Sequence, residues 1–215
     1  MKQFFRFFKV LTALVIFVTA GSPLFLPTTS PAHAAEGLPA TYSDFKARCQ
    51  SACTSPEGAV KMYFDAVFCY LDPARRAEAA KMLRFILHAK PNWERSPNYN
   101  IFSQRLQDPS HHYIFRSFAE GTSPENNYHM SPDNYRLALT STKQQTEDFV
   151  LINLLSTGAD NPRLVTLKRY EDGLWYIFSN AGTYAQVRPP RQQAIDTSHD
   201  ADYDSAPVKS AYPAR

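Results

Sequence analysis

Glycine is scarce in this chain. Seven occur in 215 residues, too far apart to build a glycine-rich phosphate loop. Neither an HExxH helix nor a GxSxG elbow is present, which removes two common hydrolase signatures. Cysteine is scarce as well. Cys49, Cys53 and Cys69 are too few for a four-ligand zinc knuckle, and Cys49-Gln-Ser-Ala-Cys53 is not the CxxC of a thiol oxidoreductase. The longest uncharged apolar run, Val10 to Ala20, falls well short of the ~20 residues a membrane helix needs. Nor is there a surplus of one charge. Lys2, Arg6 and Lys9 are three of the 23 basic residues, so 20 remain against 20 acidic ones beyond residue 34. A neutral chain lacks the basic footprint of a nucleic-acid binder, and that class is set aside.

The N-terminus reads as a targeting segment. A basic start, the apolar core Val10–Ala20, a proline-rich stretch and Ala32-His33-Ala34, a small-x-small cleavage site, predict a signal peptide over residues 1–34. Export to the periplasm or the exterior follows, with no membrane span after cleavage. No cysteine follows the apolar core closely enough to accept a lipid. At the other end, residues 191–215 hold few aliphatic side chains and predict a disordered tail. Between them lie a Cys-containing lead-in (35–54) and one domain of ordinary size (55–190). In an oxidising compartment the cysteines predict one structural disulfide. Cys49–Cys53 is the local pairing, which requires a non-helical turn, and Cys53–Cys69 is its competitor.

Ser55-Pro56-Glu57 is a helix start: a hydroxyl cap, proline in the first turn and an acid facing the dipole. The helix then runs to Leu71 and is apolar nearly all round, with Lys61 and Asp65 falling together, so it should be enclosed on most sides. Asp72-Pro73 opens a second helix with Ala79, Met82, Leu83, Ile86 and Leu87 on one face. Pro91 to Pro109 is broken and polar, anchored by Trp93, Tyr99, Ile101 and Phe102. A period of two then predicts five strands: Tyr113–Ala119, Tyr135–Ser141, Phe149–Leu155, Leu164–Tyr170 and Leu174–Ser179. Asp172-Gly173 marks the last hairpin turn. Helices followed by antiparallel strands predict an α+β fold: N-terminal helices on a curved antiparallel sheet of about five strands, a cystatin-like roll.

Two segments, YIFRSFAEGTSPENNY (Tyr113–Tyr128) and GADNPRLVTLKRYEDGLWYIF (Gly158–Phe178), resemble an uncharacterised family of secreted bacterial proteins, a domain of unknown function. The resemblance spans roughly Tyr113 to Pro190 and brings no catalytic residues with it. The helix SPEGAVKMYFDAV, with a sheet ending in a hairpin around Gly173 and Trp175, is similar to nuclear transport factor 2-like rolls. That second likeness concerns the fold and implies no activity.

The chemical inventory is thin. His111 and His112, adjacent at an expected strand start, would point to opposite faces and cannot chelate one metal. No metal or cofactor site and no catalytic residue is assigned. The polar positions among apolar strands are Arg116, Arg136 and Asn153, each of which needs partners if buried. They either face solvent or an internal bond, or they line a cleft between helix and sheet beside Tyr128. Tyr128 belongs to GTSPENNYHMSPDNY (Gly121–Tyr135), a loop much longer than a hairpin turn, expected to be an ordered lid or edge cover. The favoured function is a non-catalytic module that binds an unknown small molecule or envelope protein. An enzyme with an unrecognised site, and a structural envelope protein, are the other two classes.

Overall fold

The computed structural model describes residues 37–198, which lie in one compact unit. The expected signal peptide and the tail beyond Ser198 lie outside the described residues. Six helices and four strands appear among those described: α1 (Tyr42–Ala52), α2 (Pro56–Leu71), α3 (Arg76–Ile86), α4 (Pro97–Gln107), α5 (His112–Arg116), β1 (Leu139–Thr146), β2 (Phe149–Leu154), β3 (Arg163–Arg169), β4 (Trp175–Ser179) and α6 (Arg191–Ser198). The fold is α+β. No helix among the described residues is long and apolar enough to cross a membrane.

Helix α2 organises the core. Ser55 caps it by accepting from the Gly58 N–H at 3.1 Å, and every residue from Met62 to Tyr70 is buried. Phe64 and Val67 are fully buried in one apolar cluster with Val150 and Ile152 of β2 and Val165 and Leu167 of β3. The interface expected to hold a cleft is thus packed with side chains. Helix α3 ends in a Schellman turn: Ala89 N–H donates to Arg84 O and His88 N–H to Phe85 O, both at 2.9 Å. His88 takes the left-handed position with φ +42°, where glycine is usual, and its ring stacks on Tyr170 at 3.9 Å between centroids.

The sheet is open and antiparallel, in the order β1-β2-β3-β4, with four strands instead of five. The first expected strand, Tyr113–Ala119, is α5 and the turn after it. Four consecutive residues there, His112 to Phe115, are all buried, so neither a period of two nor one of 3.6 is visible in the sequence. Among the described residues its only strand-like contact is an isolated bridge between Ala119 and Leu137. The second expected strand starts later and runs further than Tyr135–Ser141. Its eight residues, LTSTKQQT, are exposed on both faces, so no alternation marks them. The last three strands stand where expected, and Gly173 makes the β3–β4 turn at φ +79°.

Two further expectations change. The lead-in is helical: α1 is unbroken, and Cys53 N–H donates to Cys49 O at 3.0 Å, one continuous helical turn where the disulfide required a non-helical one. Cys49, Cys53 and Cys69 are all free thiols and all buried. The hydrogen bond with Cys53, with burial, pushes the Cys49 thiol above its ordinary pKa, and burial raises Cys69 to about 11. Residues expected to begin a disordered tail form α6, whose Arg191 N–H donates to Pro124 O at 2.9 Å.

Candidate functional site

The positions singled out in the sequence do not converge. Arg136 is exposed, and its carbonyl accepts from Glu120 N–H at 2.9 Å. Arg116 is half-buried on α5, where burial lowers the pKa of its guanidinium. Asn153 lies on the face of β2 opposite Val150, Ile152 and Leu154, and its amide donates to Ser141 Oγ at 3.0 Å. No hydrogen bond or ion pair among the described residues joins any two of Arg116, Arg136, Asn153 and Tyr128.

Tyr128 explains the long loop. It is fully buried, its hydroxyl donates to Arg188 O at 2.7 Å, and its ring stacks on Tyr113 with centroids 5.6 Å apart. Asn127 and Tyr128 both take left-handed backbone conformations, φ +53° and +54°. Such strain persists only where surrounding contacts over-determine it. Here Asn126 supplies them, accepting from Ser123 N–H and donating to Gly121 O, both at 2.9 Å. The loop is an ordered cover pinned by one aromatic plug. The two histidines serve no common site: His111 Nδ1 is buried 3.0 Å from Asp108 Oδ2 without a well-formed hydrogen bond, and buried His112 donates from Nε2 to Leu106 O at 2.9 Å. No group of three metal-ligating side chains stands together among the described residues.

One concave feature among the described residues is a slot between α3 and α4, floored by the end of α2; a wider, shallow and polar one lies along Gln104, Arg105, Gln107, Asp108 and His111. The volume of the slot is about 50 Å³. The broken segment after α3 builds it. Asn92, at φ +65°, turns the chain into a 3₁₀ turn, Trp93–Arg95, and Ser96-Pro97 then caps α4, with Ser96 Oγ accepting from Tyr99 N–H at 3.2 Å. Trp93 and Tyr99 form one wall, centroids 4.6 Å apart and inclined by 63°. The Phe102 ring centroid lies 6.4 Å from that of Trp93, and Tyr70, Ala80, Leu83 and Leu106 complete the apolar lining. At the rim Arg84 of α3 and Glu94 form an ion pair, each with 42% of its side chain exposed. Sequence reading named Trp93, Tyr99 and Phe102 only as anchors. The Ser-Pro start at Ser96, the same signal that located α2, would have placed Tyr99 and Phe102 on one helix.

A second polar cluster sits elsewhere on α2. Asp65, 6% exposed, accepts at Oδ1 from Lys61 Nζ at 2.5 Å and from the Tyr135 hydroxyl at 2.8 Å. Burial raises the Asp65 pKa against the pull of Lys61, and burial beside Asp65 drives Tyr135 well above its ordinary value. Lys61 also lies 4.2 Å from the Tyr135 ring centroid.

A family model described as a domain of unknown function (DUF6935) matches residues 37–191. The chain belongs to that family. No curated protein and no solved structure matches it.

Proposed function

We propose that this domain is an exported, non-catalytic binding module whose ligand places a small organic group in the slot between α3 and α4. The observation that carries the reading is the slot itself: aromatic and aliphatic walls with one ion pair at the rim, the mostly apolar lining of a ligand site on a scale that admits only a small group. Export rests on the signal-peptide pattern of residues 1–34. The Asp65 cluster favours the enzyme reading, because a buried acid with a raised pKa beside a lysine and a tyrosine is a known catalytic grouping. Against it, Lys61 and Tyr135 both spend their bonds on the same carboxylate oxygen, an arrangement that joins α2 to the segment before β1.

The chain's two tryptophans test the slot. Trp93 lines it, whereas Trp175 is buried in β4. In an NMR titration with small branched compounds, tert-butanol first, the Trp93 indole N–H resonance should move saturably while that of Trp175 stays. A Trp93 resonance unmoved by every compound would remove the slot from consideration.

A further inference from the structure

Gly37–Ala40, ahead of α1, form a strap that is neither helix nor strand. Among the described residues no backbone–backbone hydrogen bond ties it to the rest of the domain; side chains hold it. Arg48 of α1 donates to Gly37 O at 2.6 Å. Arg75, just before α3, donates to Pro39 O and, at 3.4 Å, to Leu38 O, and no acid pairs with it among the described residues. Asp133 of the long loop accepts from Leu38 N–H at 3.2 Å in an exposed bond.

Under the strap lies one end of a polar stripe on α2. Lys61, Asp65 and Cys69, spaced by four, share one face of that helix. Tyr135 covers the first two: its hydroxyl donates to Asp65, and Lys61 lies over its ring. Pro39, itself buried, covers the third, its carbonyl accepting from Cys69 Sγ at 3.6 Å. Asp133 stands two residues before Tyr135, so its bond to Leu38 clips one cover to the other. The other two thiols lie elsewhere. Cys49 is bonded to Cys53, and Cys53 O accepts from the Trp175 N–H of β4 at 2.8 Å.

We infer that the strap is a lid: it opens as a unit while the rest of the domain stays folded, and its opening bares Cys69 and the Asp65 end of the stripe. The lid is independent of the slot. Local opening is cheapest for segments near a chain end that few bonds hold. Removal of residues 1–34 leaves the strap two residues from the new end. Opening it breaks the grip of Arg48, Arg75 and Asp133 and uncovers Leu38 and Pro39. Baring Cys49 or Cys53 instead requires parting α1 from α2 and β4, which breaks into the main apolar cluster.

The three free cysteines are the probes. The native mature chain is alkylated with iodoacetamide over hours, since in minutes all three thiols stay closed, and each is followed by peptide mass spectrometry against its rate in denaturant. Cys69 should react about tenfold faster than Cys49 and Cys53, and its rate should hardly change in dilute urea while theirs climb, because a local opening exposes little surface. Arg75→Gln should speed Cys69 by about tenfold, the scale of one hydrogen bond to a charged group. Asp133→Ala should speed it less, because that bond is exposed. A weakened fold would speed all three alike, so the ratio of Cys69 to Cys49 is the readout. Equal rates with equal urea dependence would overturn the lid, since the strap would then open only with the whole domain. A fast Cys69 whose ratio to Cys49 is unmoved by Arg75→Gln would overturn it too, since some other opening would then bare the thiol.

Discussion

Gly158→Ala is the sharpest perturbation of the fold, because its effect depends on one identified atom. A Cβ at Gly158 would stand 2.2 Å from the Tyr128 hydroxyl oxygen, 3.1 Å from Tyr128 Cζ and 3.1 Å from Val187 Cβ. The hydroxyl cannot swing away, since Tyr128 is fully buried, stacked on Tyr113 and bonded to Arg188 O. Overpacking of this kind costs ~1–3 kcal/mol. Tyr128→Phe alone removes one hydrogen bond, about 1 kcal/mol, and an exposed Arg188 lets water replace the lost donor. In the double variant the 2.2 Å contact no longer exists and the closest approach relaxes to 3.1 Å. Gly158→Ala should therefore cost less than half as much when combined with Tyr128→Phe, a favourable coupling of ~1 kcal/mol or more. Urea melts of the four proteins measure it, as do melting temperatures, at ~2–4 °C per kcal/mol for a domain of this size. Additive effects would refute the plug, and with it the account of why the long loop is ordered.

Three other outcomes follow from the same structure. Because burial raises the folded Asp65 pKa above 3.8, the folded state holds that proton more tightly than the unfolded one, so this group's contribution to stability falls as pH rises through the folded value; Asp65→Asn should be least stable relative to wild type at about pH 4 and should recover towards about pH 7 in urea melts, and a constant difference would contradict it. Arg136→Ala should leave stability within ~0.5 kcal/mol of wild type and ligand binding unchanged, since the side chain is exposed and has no partner among the described residues; a larger loss by thermal melt would show a contact now unrecognised. Ellman's reagent should find all three buried thiols unreactive in the native protein and all three reactive in denaturant; one reactive thiol in denaturant would mean a bridge.

The sequence was legible where one face of an element is buried and the other is not. β2 alternates half-buried and buried along Phe149–Leu154, and the period of two found it. α2 was legible from its cap, although its burial hides the helical period. Where burial is uniform the pattern vanishes: α5 is buried throughout most of its length and β1 exposed throughout, and these are the two elements at which the expected strands differ from the structure. α1 and α4 are short and mostly polar, so no apolar period marks them, and they stand where a lead-in and a broken segment were expected. Arg116, Arg136 and Asn153 looked odd against apolar neighbours, but oddness along the chain says nothing of which elements meet. The slot joins Tyr70, Arg84, Glu94 and Phe102 from four segments, a juxtaposition that depends on how α3 and α4 cross α2.

Native mass spectrometry of the protein purified from its own compartment, beside Ala80→Phe, tests the central claim most directly, because Ala80 lines the slot and a phenyl ring there would fill it. The wild-type chain should carry a small molecule that leaves on denaturation, and Ala80→Phe should fold but arrive bare. A bare wild-type chain, a chain carrying only another protein, or a ligand retained equally by Ala80→Phe would contradict it.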